Sequence, residues 1–123
     1  MSGLASILLV DDEPGFARTL AMRLRLRGFE CVVAGDGITA LDMHEGGAFS
    51  HVLLDLRLPD VPGADVLRVL KERDPDLPVV IITAHGTDID EKACMALGAS
   101  AFMSKPVDID EIVSQLMKSR EKT

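Results

Sequence analysis

Five short apolar runs punctuate the chain: Ile7–Val10, Cys31–Ala34, His51–Leu54, Val79–Ile82 and Ala101–Met103. Most are rich in Val, Ile and Leu without polar alternation, the pattern of strands covered on both faces. The stretches between them carry apolar residues at helical spacing instead. Phe16, Leu20 and Leu24 recur every four residues until Gly28 ends the run. Val66, Leu67 and Leu70 form a stripe after Gly63, and Ala93, Ala96 and Leu97 form another before Gly98. Ile109, Ile112, Val113, Leu116 and Met117 share one face of a last helix. Asp108 stands at its start as a cap, with Glu111 three residues on to complete a capping box. Strand and helix thus alternate five times. This predicts one α/β domain: a five-stranded parallel sheet, doubly wound, with helices on both faces and right-handed crossovers. No repeat, low-complexity segment or linker interrupts the pattern. The charged tail "KSREKT" reads as a frayed helix end.

Composition narrows the function. The 123 residues suffice for one core and are too few for a core plus a separate effector domain, so residues 1–123 are expected to form a single domain with its core at about 6–118. With 47% apolar and 27% charged residues the chain reads as folded and soluble. No apolar run nears the ~20 residues of a membrane helix. The opening "MSGLAS" lacks the basic and apolar regions of a signal peptide, so a cytoplasmic protein without membrane contact is expected. A net charge of −7 argues against nonspecific binding of nucleic acid and is compatible with a metal cation or a basic partner. Trp and Tyr are absent, which removes most means of stacking on bases. Cys31 and Cys94 read as small buried hydrophobes in a reducing compartment, too far apart in sequence for an expected chelating pair. Arg18, Arg23, Arg25 and Arg27 make the first helix basic, either as a solvated face or as a docking face for a partner.

Open parallel sheets bind ligands beyond the carboxyl ends of their strands. The residues there are Asp11, Asp12 and Glu13 after the first strand, Asp55 after the third, Thr83 after the fourth, and Ser104, Lys105 and Pro106 after the fifth. The second ends at Ala34–Gly35 with nothing reactive. Asp12 or Glu13 can cap the following helix, with Pro14 in its first turn. If Asp11, Asp12 and Asp55 converge, their repulsion is relieved either by a retained proton or by a cation. Oxygen ligands of this kind suit a hard divalent ion. Mg²⁺ fits when it bridges one or two carboxylates to a phosphate, and Mn²⁺ is the other candidate. Lys105 at the same edge can hold a phosphoryl or carboxylate oxygen. Thr83 is either a β-branched strand residue or a hydroxyl donor to an anion. The Lys105–Pro106 bond is a candidate for cis.

The segments "VDDEP", "LLDLRLPDVPG", "VVIITAHG" and "AFMSKPVD" resemble, in order and separation, the receiver domain of bacterial two-component response regulators. The resemblance covers Ile7 to about Met117. It implies a flavodoxin-like (βα)₅ fold with strand order 2-1-3-4-5, and a signalling domain that assists its own aspartyl phosphorylation and dephosphorylation rather than an enzyme. It implies Asp55 as the phosphoacceptor for a phosphohistidine of a sensor histidine kinase or phosphotransfer protein. Asp12 resembles a direct Mg²⁺ ligand and Asp11 a ligand acting mainly through water, with Asp55 and the backbone carbonyl of Arg57 completing the set. Lys105 resembles the lysine that pairs with the acceptor and then with the phosphoryl group, followed by a cis bond to Pro106. Thr83 and Phe102 resemble a switch pair that alters the face built from the fourth helix, fifth strand and fifth helix, through which an output domain, a partner or a second copy would be engaged. Arg57 and His85 fall where the family tunes phosphate lifetime, or are plain exposed loop side chains. Two positions depart from the usual pattern: Phe102 stands where tyrosine is common, and Pro62 stiffens the loop before Gly63. His44, His51 and His85 lack the helical-bundle context of a phosphohistidine.

Three other readings remain open at this stage. An aspartate-nucleophile phosphatase also carries acids after its first strand, but as D-x-D. A flavin or nucleotide binder on the same sheet would want a Gly-, Ser- and Thr-rich first loop, where this chain has acids. A phosphorylation-independent docking module would have no need for the Asp, Thr and Lys set.

Overall fold

The computed structural model describes residues 5–121. Its elements, in chain order, are β1 (Ser6–Val10), α1 (Pro14–Leu26), β2 (Glu30–Ala34), α2 (Gly37–Gly46), β3 (His51–Leu54), α3 (Gly63–Arg73), β4 (Val79–Thr83), α4 (Asp88–Ala96), β5 (Ala101–Ser104) and α5 (Ile109–Glu121). All strand pairs are parallel and the sheet order is β2-β1-β3-β4-β5, the arrangement expected from the alternating pattern and the resemblance.

Side chains of successive strand residues point to opposite faces, and each face has its own core. Ile7, Leu9, Leu53, Val80 and Ile82 pack with Leu20 and Leu24 of α1 and Ile112 and Leu116 of α5. Leu8, Val10, Leu54 and Ile81 pack with Val66, Leu67 and Leu70 of α3 and Cys94 of α4. Double-sided burial holds for β3 and β4 throughout and for β1 beyond Ser6. The edge strands differ: β2 alternates exposed and buried positions at its start, and β5 has no fully buried residue.

Several local expectations need correction. Ala93 and Ala96 are exposed, and α4 turns Cys94 and the half-buried Leu97 to the core instead. Met117 is exposed and does not share the buried face of Ile112 and Leu116. Asp108 does accept from the Asp110 amide at 2.9 Å, but the reciprocal capping box belongs to α4, between Thr87 and Asp90. The tail read as frayed continues α5 to Glu121, and its last two residues lie outside the described residues.

Both cysteines are buried free thiols. Burial pushes the Cys31 thiol up to about 11 and that of Cys94 in the same direction, which keeps both protonated and unreactive. His51 is buried at the start of β3, its Nε2 donating to the Leu116 carbonyl at 3.0 Å and its Nδ1 2.9 Å from Ser50 Oγ. It ties the sheet to α5 at the end opposite the acids.

Candidate functional site

The sheet order makes β1 and β3 neighbours, with Val10 paired to Leu54. The next residue on each strand is therefore an acid facing its counterpart: Asp11 beside Asp55. Backbone bonds hold both in place, from the Asp11 amide to the Ala34 carbonyl and from the Asp55 amide to the Val10 carbonyl, each 3.0 Å. On the other side β4 and β5 pair Thr83 with Ser104, and the Lys105 amide donates to the Thr83 carbonyl at 2.9 Å. Four strand ends thus deliver two buried acids, a buried threonine and a lysine to one edge. The Lys105–Pro106 bond is cis.

Lys105 Nζ lies 2.9 Å from Asp11 Oδ2 and 3.2 Å from Asp55 Oδ2, and also donates to Glu13 Oε1. The remaining oxygens of the two buried acids are occupied locally: Asp11 Oδ1 accepts from the Glu13 amide at 2.9 Å and Asp55 Oδ1 from the Arg57 amide at 3.1 Å. Carboxylate oxygens of Asp11, Asp12 and Asp55 lie within 4.8 Å of one another, with Asp12 exposed and the other two buried. Such an all-carboxylate set offers hard oxygen donors and no imidazole or thiolate, which fits Mg²⁺ or Mn²⁺ and not zinc.

The electrostatics follow from burial. Desolvation raises the Asp11 pKa, and the Glu13 amide and Lys105 only partly offset it. Burial alone would lower the pKa of Lys105. The Glu13 and Asp11 carboxylates override it, with Asp55 adding to the effect, and hold the ammonium well above its ordinary range. The site therefore keeps a permanent cation among acids that outnumber it.

Other expected residues line a cavity of about 230 Å³: Asp12, Asp55, Arg57, Thr83 and His85, with Glu13 and Ala84. Lys105 forms part of a second, larger cavity of about 450 Å³ between α1 and the segment leading into α5, beside Glu13, Phe16 and Pro106. Phe102 lines neither cavity. It packs over Gly86, where an added Cβ would fall 2.4 Å from its Cζ and 2.8 Å from Thr83 Cγ2. Phe102, Gly86 and Thr83 therefore form one stack beneath the loop between β4 and α4.

One expectation at the site is corrected. Glu13 does occupy the N-cap position of α1, followed by Pro14, but makes no side-chain cap bond. Its carboxylate turns to Lys105 instead. Sequence reading also missed Phe16, whose ring centroid lies 4.2 Å from Lys105 Nζ, in the range of a cation–π contact. Phe16 is one helical turn after Glu13, a spacing that could have suggested a shared partner. Asp60 was missed as well. Its carboxylate accepts from the Gly37 and Ile38 amides, each at 2.9 Å, and so fastens the loop after Asp55 to the start of α2.

Comparison with known proteins agrees with this geometry. The family model described as response regulator receiver domain matches residues 7–117. The sensory transduction protein RegX3 of Mycolicibacterium smegmatis is 39% identical over 113 residues, covering 92% of this chain and 49% of that protein. The probable transcriptional regulatory protein TcrX of Mycobacterium tuberculosis is 38% identical over 90% of this chain and 47% of its own length. The chain thus spans about half the length of these relatives. A response regulator receiver domain protein from Clostridium thermocellum superposes with a TM-score of 0.89 at 28% identity, covering 97% of this chain and 98% of that one. On fold, motif order and sequence, the chain belongs to the response regulator receiver domain family of two-component signal transduction.

Proposed function

We propose that this receiver domain accepts a phosphoryl group onto Asp55 from the phosphohistidine of a sensor histidine kinase or a phosphotransfer protein. The observation that carries the reading is the placement of Asp55: a buried carboxylate 3.2 Å from Lys105 Nζ and clustered with Asp11 and Asp12. Asp11, Asp12, Asp55 and the Arg57 backbone carbonyl would hold Mg²⁺, or Mn²⁺ in its place. When bound, the ion supplies positive charge to the transferring phosphoryl oxygens, which is most of what this chemistry asks of a protein.

An Asp55 Oδ attacks phosphorus and forms the acyl phosphate O–P bond. The P–N bond of the donor breaks, and the imidazole leaves with its electron pair. Lys105 then follows the charge from the carboxylate to the phosphoryl oxygens. The Thr83 hydroxyl donates to one of those oxygens, which draws it toward Asp55 and away from Phe102. The ring of Phe102 moves with it, and the face of α4, β5 and α5 changes. Phe102 has no hydroxyl to bond in either position, so packing alone sets its preference. Arg57 and His85, at the rim of the Asp55 cavity, govern access of water and hence the lifetime of the phosphate.

The domain works in this reading as one cytoplasmic unit spanning about residues 6–118. It signals through the α4-β5-α5 face to an output domain, a partner or a second copy, and itself contacts no nucleic acid. Incubation with Mg²⁺ and acetyl phosphate, followed by mass spectrometry, tests it. A single base-labile phosphoryl adduct that disappears in Asp55→Ala is expected. No adduct, or one that persists in Asp55→Ala, sinks the proposal.

A further inference from the structure

Lys105 is shared by three carboxylates, and they are not equivalent. Asp11 and Asp55 have side chains 2% and 6% exposed, and each is fixed by a strand end and by a backbone amide on its second oxygen. Glu13 is 59% exposed and reaches Lys105 from the solvent side. It stands outside the cluster of acids suited to a metal. It also borders both the Asp55 cavity and the larger cavity beside Lys105, so its side chain sits on the wall between them. Of the three partners it is the one free to leave, and solvent-exposed pairs of this kind exchange readily.

A phosphoryl group arriving at Asp55 is itself an anion that needs Lys105. It meets a lysine already occupied, and an added negative charge at the entrance. We propose that Glu13 is a positioning residue that latches Lys105 in the unphosphorylated site and is displaced by the incoming phosphoryl group. The inference rests on the phosphoacceptor reading of Asp55 and adds a brake to it. The α1 helix is a suitable carrier: Glu13 is its N-cap residue, held at the backbone by Asp11, so only the side chain has to move.

The test compares wild type with Glu13→Gln, which keeps the size of the side chain and removes its charge. Phosphorylation of Asp55 by acetyl phosphate at saturating Mg²⁺ should speed up roughly 1.5–5-fold, the range one competing exposed carboxylate spans. Mg²⁺ affinity, measured by calorimetry, should stay within about twofold, because Glu13 is not among the clustered acids. Acylation of Lys105 by an amine-reactive ester, read by peptide mass spectrometry without any phosphodonor, should rise in the same variant. Glu13→Ala should likewise raise the phosphorylation rate and the labelling of Lys105. An unchanged or slower phosphorylation rate in Glu13→Gln overturns the latch, and so does unchanged labelling of Lys105. If wild type forms no adduct on Asp55, the phosphoacceptor reading fails and the latch falls with it. If wild type reacts and the variant merely matches it, the latch alone fails.

Discussion

Gly63 shows how little room there is behind the acceptor. A Cβ at this position would lie 2.3 Å from the Asp55 carbonyl oxygen and 2.5 Å from the Leu56 Cα. Both neighbours are backbone, so nothing can rotate away, and the Gly63 amide also donates to the Leu56 carbonyl at 2.8 Å. Gly63→Ala should therefore push the Asp55 loop outward. We expect a loss of about 1–3 kcal/mol in urea unfolding, as for overpacking elsewhere, together with weaker Mg²⁺ binding by calorimetry. Gly86 is the useful contrast, because its Cβ would meet the Phe102 ring and the Thr83 methyl, which can yield. Gly86→Ala should cost less stability. In the sequence Gly63 looked only like the start of a helix. The same limit applied to Glu13: it read as a possible cap because its true partner is Lys105, separated from it by 92 residues. Local spacing reports local contacts, and both residues take their roles from segments beyond their own helix.

Among the helices, α2 has a thin apolar anchor: Gly37 and Ala40 are its buried residues, with Leu41 and Met43 half-buried beside them. Its first turn is instead saturated by acids. Asp36 accepts from the Thr39 amide at 2.7 Å, while Asp60 takes those of Gly37 and Ile38. These amide bonds, the Gly37 bond foremost, lower the pKa of Asp60 below its ordinary 3.8. The sign follows: the Asp60 link is fully present above 3.8 and is lost as pH falls through the lower folded-state value. Asp60→Asn should lower the Tm at neutral pH, and the gap from wild type should close in acid; a gap that persists there would contradict the assignment. The other strongly capped helix is α4, where Thr87 Oγ1 accepts from the Asp90 amide at 3.1 Å and Asp90 returns a bond to the Thr87 amide. Thr87→Ala should cost ~1 kcal/mol and speed amide exchange in the first turn of α4. Helix faces were legible where large side chains repeat, as in α1 and α3. They were not in α4, whose small residues gave no contrast between its outer alanines and Cys94. Nor did α2 offer a stripe to read, since its anchor Asp60 lies 23 residues away.

At the scale of the molecule, order 2-1-3-4-5 does the work that no single motif does. Strand alternation announced a parallel sheet and the strand-end rule located the chemistry at the edge holding Asp11, Asp55, Thr83 and Lys105, while the strand order itself came from the family resemblance. Which oxygen meets which partner was not legible, because distances across β1, β3, β4 and β5 arise only when all the strands pair. The same pairing suggests how a change at Asp55 would travel. Thr83 ends β4 fully buried, its neighbour across the ladder is Ser104, and its methyl shares the Gly86 stack with Phe102. A pull on the Thr83 hydroxyl therefore has a short mechanical route to β5 and to the loop before α4. Thr83→Ala keeps the carboxylates and Lys105 and removes the hydroxyl handle together with the methyl that touches the stack. It should still take a phosphoryl group on Asp55, while the amide shift changes that phosphorylation produces in wild type across residues 83–105 should largely vanish. Paired ¹⁵N–¹H spectra of the two proteins, with and without acetyl phosphate, check this. If the Thr83→Ala spectra change as wild type does, the coupling runs by another path, and if wild type itself shows no change, the face of α4, β5 and α5 does not respond to Asp55 at all.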